Sequence, residues 1–438
     1  MSFEGKEFTL RSLCLLVVDC PHATPKWTDS GVVVLRNKNI KGGRLDLSSP
    51  SFTDEVHYQG RIRRAAPQGG DIVMTREAPM GEVCEIPHGL RCCVGQRQVL
   101  LRPNPKKVHG RFLLFALQST YLQQQIDWNE GTGSTVSNLR IPVLEALRVP
   151  TPSLRDQIEI ANTLGALDDR IALLRETNTT LEAIAQALFK SWFVDFDPVR
   201  AKLVGRAPEG MDEATAALFP DGLEESALGL LPKTWNVRAI EELCETITNG
   251  GTPSRSNETF WTNGTMPWFK TGDFADGFLL APAERISEGA ISKSSVKVLP
   301  ANAILMAIYA APTVGRLGIL TESATFNQAC TGMVARATVG PWFLLLTLYF
   351  GRTWFNSRAN GAAQQNISKA IVASYRAIVP SEPLLDRFHE IADNLYCCIR
   401  ANSKQAQTLT TLRDTLLPRL ISGQLRLPDA EGLAHAPA

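Results

Sequence analysis

The feature that most constrains this chain is that its 438 residues carry the same series of short signals twice, at a period of about half the chain. A Thr-Pro turn opens each series, Cys20-Pro-His-Ala-Thr-Pro25 and Asn249-Gly-Gly-Thr-Pro253. A strand-like segment follows, Gly31-Val-Val-Val-Leu-Arg-Asn-Lys-Asn-Ile40 against Gly264-Thr-Met-Pro-Trp-Phe-Lys-Thr-Gly-Asp-Phe274. With one residue of slack at the glycine, Arg36 falls opposite Lys270 and Asn39 opposite Asp273. Asp71-Ile-Val-Met-Thr75 before Ala78-Pro-Met-Gly81 matches Asn302-Ala-Ile-Leu-Met306 before Ala311-Pro-Thr-Val-Gly315, each an apolar run that ends in a Pro/Gly turn. Gly95-Gln96 answers Asn327-Gln328, and Gly133-Ser-Thr-Val-Ser-Asn138 answers Gly361-Ala-Ala-Gln-Gln-Asn366. Each series closes on Val-Pro, at Val149-Pro150 and Val379-Pro380. Six matches in one order define a tandem duplication.

After each series comes a long helical pattern. From about residue 155 to 193 there is no proline, and Leu164, Leu167, Ile171, Leu174, Asn178, Leu181, Ala185, Leu188 and Trp192 alternate by three and four. That is a heptad seam. The second copy reads Phe388, Ile391, Leu395, Cys398, Asn402, Gln405, Leu409, Leu412 and Leu416, stopping near Pro418. Each seam holds one asparagine, Asn178 or Asn402, and a polar residue in a seam fixes register or partner at a cost in packing. A helix of roughly 38 residues spans about 57 Å, on the order of 17 base pairs of B-DNA. The expected fold is α+β: two tandem mixed α/β domains separated by two long helices packed as an antiparallel coiled coil. The expected segments are a first domain at 1–152, a first helix at 153–194, a connector at 195–233, a second domain at 234–382, a second helix at 383–424 and a tail at 425–438. Leu218-Phe219 and Leu228 to Leu231 mark the connector as ordered.

The residues that fill this plan resemble a known family. Gly250 to Ser254, Phe260-Trp261, Pro267-Trp268 and Thr271-Gly-Asp273 look like the opening of a target-recognition domain of a Type I restriction-modification DNA specificity (S) subunit. Leu188-Phe-Lys-Ser-Trp-Phe-Val-Asp-Phe-Asp-Pro-Val-Arg-Ala-Lys202 is similar to that family's central stretch, and Leu218-Phe-Pro-Asp221, Leu228-Gly229 and Leu231-Pro-Lys-Thr-Trp235 continue the match. So does Leu412-Arg-Asp-Thr-Leu-Leu-Pro-Arg-Leu-Ile-Ser-Gly423, and only the tail after Leu427 falls outside it. The resemblance implies a non-catalytic subunit that binds double-stranded DNA, each domain reading one half of a split, asymmetric site. It implies methyltransferase (M) and restriction (R) subunits as partners, with S-adenosylmethionine, ATP and Mg on those partners and no cofactor on this chain. The first copy departs from the pattern: Thr24-Pro25 lacks the Gly-Gly of Gly250-Gly251, and Val33-Val34 stands in place of Pro-Trp, so the two domains should read different bases.

Arginine and lysine on phosphates position such a domain, and polar side chains at base edges give it specificity. The DNA-binding candidates are Arg36, Asn37 and Lys38 in the first copy and Lys270 and Thr271 in the second, with Thr252 and Ser254 in the Thr-Pro loop. To these are added the basic cluster Arg61, Arg63 and Arg64, Arg76 before its turn, the loops Ser134-Thr135 and Gln364-Gln365-Asn366, and Lys369. Trp261 and Trp268 read as core or loop anchors. The seam residues Leu167, Ile171, Leu174, Asn178, Leu181, Leu188, Leu395, Asn402, Leu409, Leu412 and Leu416 serve helix pairing and partner docking.

Enzymatic readings find little support. There is no Asp/Asn-Pro-Pro-Tyr/Phe methyltransferase motif, Asp195-Phe-Asp-Pro198 being a superficial echo, and no G-x-x-x-x-G-K-[ST] loop for ATP. The six histidines have no metal-like spacing, and the nine cysteines, with adjacent pairs at Cys92-Cys93 and Cys397-Cys398, form no C-x-x-C knuckle and read as reduced thiols. Charge is balanced, 45 basic against 44 acidic residues, so DNA affinity must come from local clusters or partners. The longest apolar run, 342–350, is far short of the roughly 20 residues that a membrane span requires. Met1-Ser-Phe-Glu-Gly-Lys6 has no signal-peptide pattern, so the expected location is the cytoplasm. A duplicated protein-binding adaptor without DNA specificity is the alternative left open.

Overall fold

A computed structural model describes residues 6–128, 138–226, 229–309, 313–359 and 366–427. The chain divides into two compact units, and the cut does not follow the linear order of segments. The first unit joins Met1–Ala172 to Gln407–Ala438, and the second is Leu173–Ala406. Each long helix is therefore shared, one portion in each unit.

In the first unit, Glu7–Thr9 pairs antiparallel with Arg148–Pro150, Phe8 opposite Val149, which ties the two ends of the domain together. Thr9 caps the short helix Leu10–Leu13 by accepting from the Ser12 amide. A four-stranded antiparallel sheet then runs in the order Cys14–Asp19, Gln98–Pro103, Ile72–Thr75, Val83–Glu85. Ile72–Thr75 is buried on both faces, as an apolar run without alternation should be. A smaller sheet places Val32–Leu35 between Phe52–Thr53, antiparallel, and Cys92–Val94, parallel. The core gathers Phe112 and Phe115 of helix Gly110–Gln118 with Ile160 and Leu164 of the first long helix and Leu416, Leu420 and Ile421 of the second.

The second unit repeats the design. Asn236–Ala239 pairs with Arg376–Val379, and the main sheet runs Cys244–Asn249, Cys330–Ala335, Ile304–Ala307, Leu317–Leu320, extended by the parallel strand Gly277–Leu279. Met266–Phe269 sits between an antiparallel Glu284–Ile286 and a parallel Thr325–Phe326. The apolar run beginning at Trp342 becomes the helix Pro341–Phe350, started by a proline at its first position and hydrophobic all round, with Trp342 to Leu348 buried. Along the segment expected as a connector lie helices Asp197–Leu203 and Glu213–Ala217, then the hairpin of Leu223–Ser226 with Gly229–Pro232; of its expected apolar anchors Phe219 and Leu231 are buried and Leu230 is exposed. Phe219 anchors it edge-on against Trp192 at 5.2 Å.

The long helices are Leu154–Phe193 and Glu382–Ile421, each of 40 residues. Within the second unit they are antiparallel, with Trp192 6.2 Å from Phe388 while Asn178 meets Asn402. The two seam asparagines are each other's partner. Asn402 donates to the Asn178 Oδ1 at 3.0 Å, and Asn178 donates to Ser403 Oγ at 2.9 Å and to the Ile399 carbonyl at 3.2 Å. Within the first unit, Asp168 accepts from Arg413 at 2.6 Å.

Along the first helix the expected seam is inside: Ile171 and Leu174 are buried, and Leu167, Leu181 and Leu188 are half-buried against their units' cores. The second seam needs a correction. Its buried row in the second unit is Phe388, Ala392, Tyr396 and Ile399, rotated by one position from Ile391, Leu395 and Cys398, and Cys398 is exposed. The cause is a second surface to cover: Tyr396 stacks on Trp342 at 4.3 Å, so the helix turns toward its own domain as well as toward its partner helix. Leu395 stays half-buried, as do Leu409 and Leu412 farther along, and Leu416 is buried in the first unit. The seam reading stops near Pro418, but the helix, as its expected range of 383–424 implies, does not. It continues to Ile421, because Leu416, Leu417, Leu420 and Ile421 are fixed in the first unit's core, and Gly423 then ends it in the left-handed region at φ 73°.

Candidate nucleic-acid interface

The central element is a single turn that both units build alike. After Val32–Leu35, residues Asn37–Asn39 form one 3₁₀ turn, and the Asn39 side chain folds back to accept from the Arg36 amide at 3.0 Å. After Met266–Phe269, Thr271–Asp273 does the same, with Asp273 accepting from the Lys270 amide at 2.9 Å. The segments read as strand-like to Ile40 and Phe274 thus end as strands at Leu35 and Phe269, and the paired Arg36/Lys270 and Asn39/Asp273 positions are the two ends of a turn capped by a short polar side chain.

Two more segments are drawn to this turn. Gly95 donates to the Leu35 carbonyl at 2.8 Å, and Asn327 donates to the Phe269 carbonyl at 2.9 Å. Gln96 donates to Thr24 Oγ1 at 3.2 Å, and Thr252 donates to Gln328 Oε1, so in both units the Thr-Pro loop is tied to the glutamine that follows the parallel strand.

In the first unit these segments enclose an open pocket of about 190 Å³, lined by Pro25, Trp27, Arg36, Asn37, Lys38, Ala78, Gln96 and Arg97. The Arg36 guanidinium lies 5.0 Å from the Trp27 ring, an arrangement that holds a cation flat without neutralising it. Lys38 is exposed and reaches Ser49 Oγ at 2.8 Å. Asn37 is partly spent on the fold, donating to the Glu77 carbonyl and accepting from Gln98 at 3.3 Å.

In the second unit the same place is neutralised by a carboxylate. Glu284 accepts from Arg255 at 2.5 and 3.0 Å and from Lys270 at 3.1 Å. The Arg255 fork, with Lys270 behind it, pushes the Glu284 carboxyl down to about 2. Arg255 lies 3.6 Å from the Trp261 ring centre. Both tryptophans prove to be loop anchors: Trp268 donates to the Gly251 carbonyl at 3.0 Å and Trp261 to the Ser254 carbonyl at 3.1 Å. The glycines are explained by space, since a Cβ on Gly250 would meet the Phe326 carbonyl oxygen at 2.2 Å. Thr271 and Thr252 are half-buried, and Ser254 is exposed with its hydroxyl 2.8 Å from that of Ser256.

The remaining candidates divide. Arg63 and Arg64 are exposed, but Arg61 is buried and donates to the carbonyls of Val94, Ala23 and Pro21. Arg76 is buried as well, bound to Asp19 at 2.5 Å and to the Leu139 carbonyl at 2.8 Å. The expected arginine clamp is corrected accordingly: Arg61 and Arg76 stitch loops together, Arg64 is exposed while donating to the Asp19 carbonyl at 3.3 Å, and Arg63 faces solvent. Ser134, Thr135, Gln364 and Gln365 lie outside the described residues. Asn366 has its side-chain oxygen buried with no partner among the described residues, and Lys369 is exposed on helix Lys369–Ser374. Sequence reasoning missed Trp27, Arg97, Arg255 and Glu284. The available signal was Trp27 two residues beyond the first Thr-Pro turn and Arg255 two residues beyond the second.

Two copies of one loop cluster, alike in backbone and unlike in side chains, define a duplicated recognition protein. A family model described as Type I restriction modification DNA specificity domain matches residues 20–183 and 232–410, once in each half, and the chain belongs to that family of specificity subunits. The specificity subunit of the Type I restriction enzyme HindI from Haemophilus influenzae is 27% identical over 375 residues, covering 76% of this chain and 81% of the relative. That of MjaIX from Methanocaldococcus jannaschii is 24% identical, with 82% and 78% covered. The crystal structure of a Type-I restriction-modification system S subunit from M. genitalium shares the fold, with a TM-score of 0.56, 16% identity and 96% of each chain covered.

Proposed function

We propose that this chain is the DNA-reading subunit of a Type I restriction-modification complex, in which each unit reads one half of a bipartite, asymmetric site and the chain itself carries out no catalysis. The observation that carries this reading is the pair of capped turns at Arg36–Asn39 and Lys270–Asp273: one backbone device, presented twice, with different side chains around it. Two readers of common design and different chemistry are what an asymmetric split sequence needs. Methyltransferase and restriction subunits would dock on this chain and supply S-adenosylmethionine-dependent methylation and ATP- and Mg-dependent cleavage. The helix pair is the proposed spacer and docking surface. No helix among the described residues is long and apolar enough to cross a membrane, and a cytoplasmic location fits a DNA-directed complex.

With basic and acidic residues in balance, contact with phosphates rests on local groups of exposed cations. The test is duplex binding by the chain co-purified with its methyltransferase subunit across a salt series. Affinity that falls steeply with salt, by roughly 0.9 log units per log unit of salt for each phosphate contacted, supports the reading. Binding indifferent to salt, or no binding to any duplex, ends it.

A further inference from the structure

We propose that Arg97 is a specificity-determining residue of the first unit and reads the O6/N7 edge of a guanine; the inference rests on the DNA-reading function proposed above. Gly95-Gln-Arg-Gln98 and Asn327-Gln-Ala-Cys330 occupy the same place in the two units, anchored by the same amide-to-carbonyl bond and by a glutamine–threonine hydrogen bond, donated by Gln96 in the first unit and by Thr252 in the second. Within this shared frame Arg97 stands opposite Ala329.

The backbone gives the second argument. Arg97 is held at φ 64°, a left-handed conformation unfavourable for a non-glycine residue, and Ala329 is not. Strain of this kind marks positions where a side chain has to be aimed. Here it carries Arg97 to the wall of the pocket that also contains Trp27, Arg36 and Lys38.

The side chain is also braced. Glu77 meets Arg97 through Nε at 3.1 Å, and Glu77 is itself fixed by Asn138 at 2.8 Å. Engagement at Nε keeps the two terminal nitrogens as a fork, the geometry that guanine O6 and N7 accept. Comparison of the units then separates a base contact from a phosphate contact. The DNA backbone is the same in both half-sites, so cations that grip it should recur, as Arg36 and Lys270 do. A cation present in one unit and absent from the other is placed to read sequence.

The experiment maps adenine methylation by long-read sequencing in a host that carries the full chain and its methyltransferase partner, with Arg97→Gly and Arg97→Lys variants. Glycine accepts a positive φ without cost, so Arg97→Gly retains the turn. The expected result is that one guanine in the half read by the first unit becomes degenerate, its discrimination falling on the order of ten- to a hundred-fold. Arg97→Lys does not restore it, because an ammonium has no fork, and the bases of the other half stay specified, which shows that the variant is folded. An unchanged motif in Arg97→Gly, or methylation weakened uniformly with the motif intact, overturns the inference. A wild-type complex without any sequence preference would overturn the DNA-reading function itself, a result distinct from an unchanged variant motif.

Discussion

Arg61 and Arg63 stand two residues apart in one basic cluster and do opposite things. Arg61 has given its guanidinium to three backbone carbonyls, and Arg63 faces solvent. Arg61→Ala leaves those carbonyls without a charged donor in the interior and should cost about 2–4 kcal/mol in denaturant unfolding. Arg63→Ala should stay within about 0.5 kcal/mol of wild type and lower duplex affinity instead. Equal stability losses in the two variants would refute the division. Glu284 offers a pH test at the same scale. Its carboxyl is held below the ordinary glutamate value of 4.5, at about 2, by Arg255 and then Lys270. Its contribution to stability is therefore complete above about pH 4.5 and is lost as the pH falls toward 2. The unfolding midpoint of Glu284→Gln should lie below wild type by a constant amount above pH 4.5, the gap closing on acidification; a gap that widens in acid contradicts the assignment. None of this was legible in the sequence, since a basic run does not say which arginine turns inward, and the Glu284 partners lie 14 and 29 residues away.

At the scale of elements, the sequence was more informative. Periodicity located both long helices, and the duplication paired the positions that become the capped turns, though it read them as strand-like, because those features depend on local spacing. The second seam was read one position off along Phe388 to Ile399, since a heptad pattern reports one partner and this helix covers two surfaces. The second seam was read only as far as Pro418, although the helix expected at 383–424 runs on to Ile421, because a proline's local cost is overridden by burial of the residues on either side of it. The asparagine pair allows a sharp test. Asn178→Leu should leave the Asn402 amide without its acceptor and cost about 1–3 kcal/mol, and the double change to leucine should recover much of that loss. Additive losses in a double-mutant cycle would show that the two side chains do not act as a pair.

For the molecule as a whole, sequence order and structural order differ. The first unit takes its core partly from Leu416, Leu420, Ile421 and Leu425, at the far end of the described chain. Truncation after residue 406 should therefore expose the first unit to limited proteolysis and remove its thermal transition, while the second unit, complete by Ala406, keeps its own. Simultaneous loss of both transitions would mean that the division into units is not energetic. The central claim, two recognition units of one design reading two different sequences, is tested most directly by long-read methylation mapping of a host that carries this chain with its methyltransferase partner. The account predicts a split motif with two different half-sequences separated by unspecified bases. One contiguous motif, or two halves that repeat the same sequence, would contradict it.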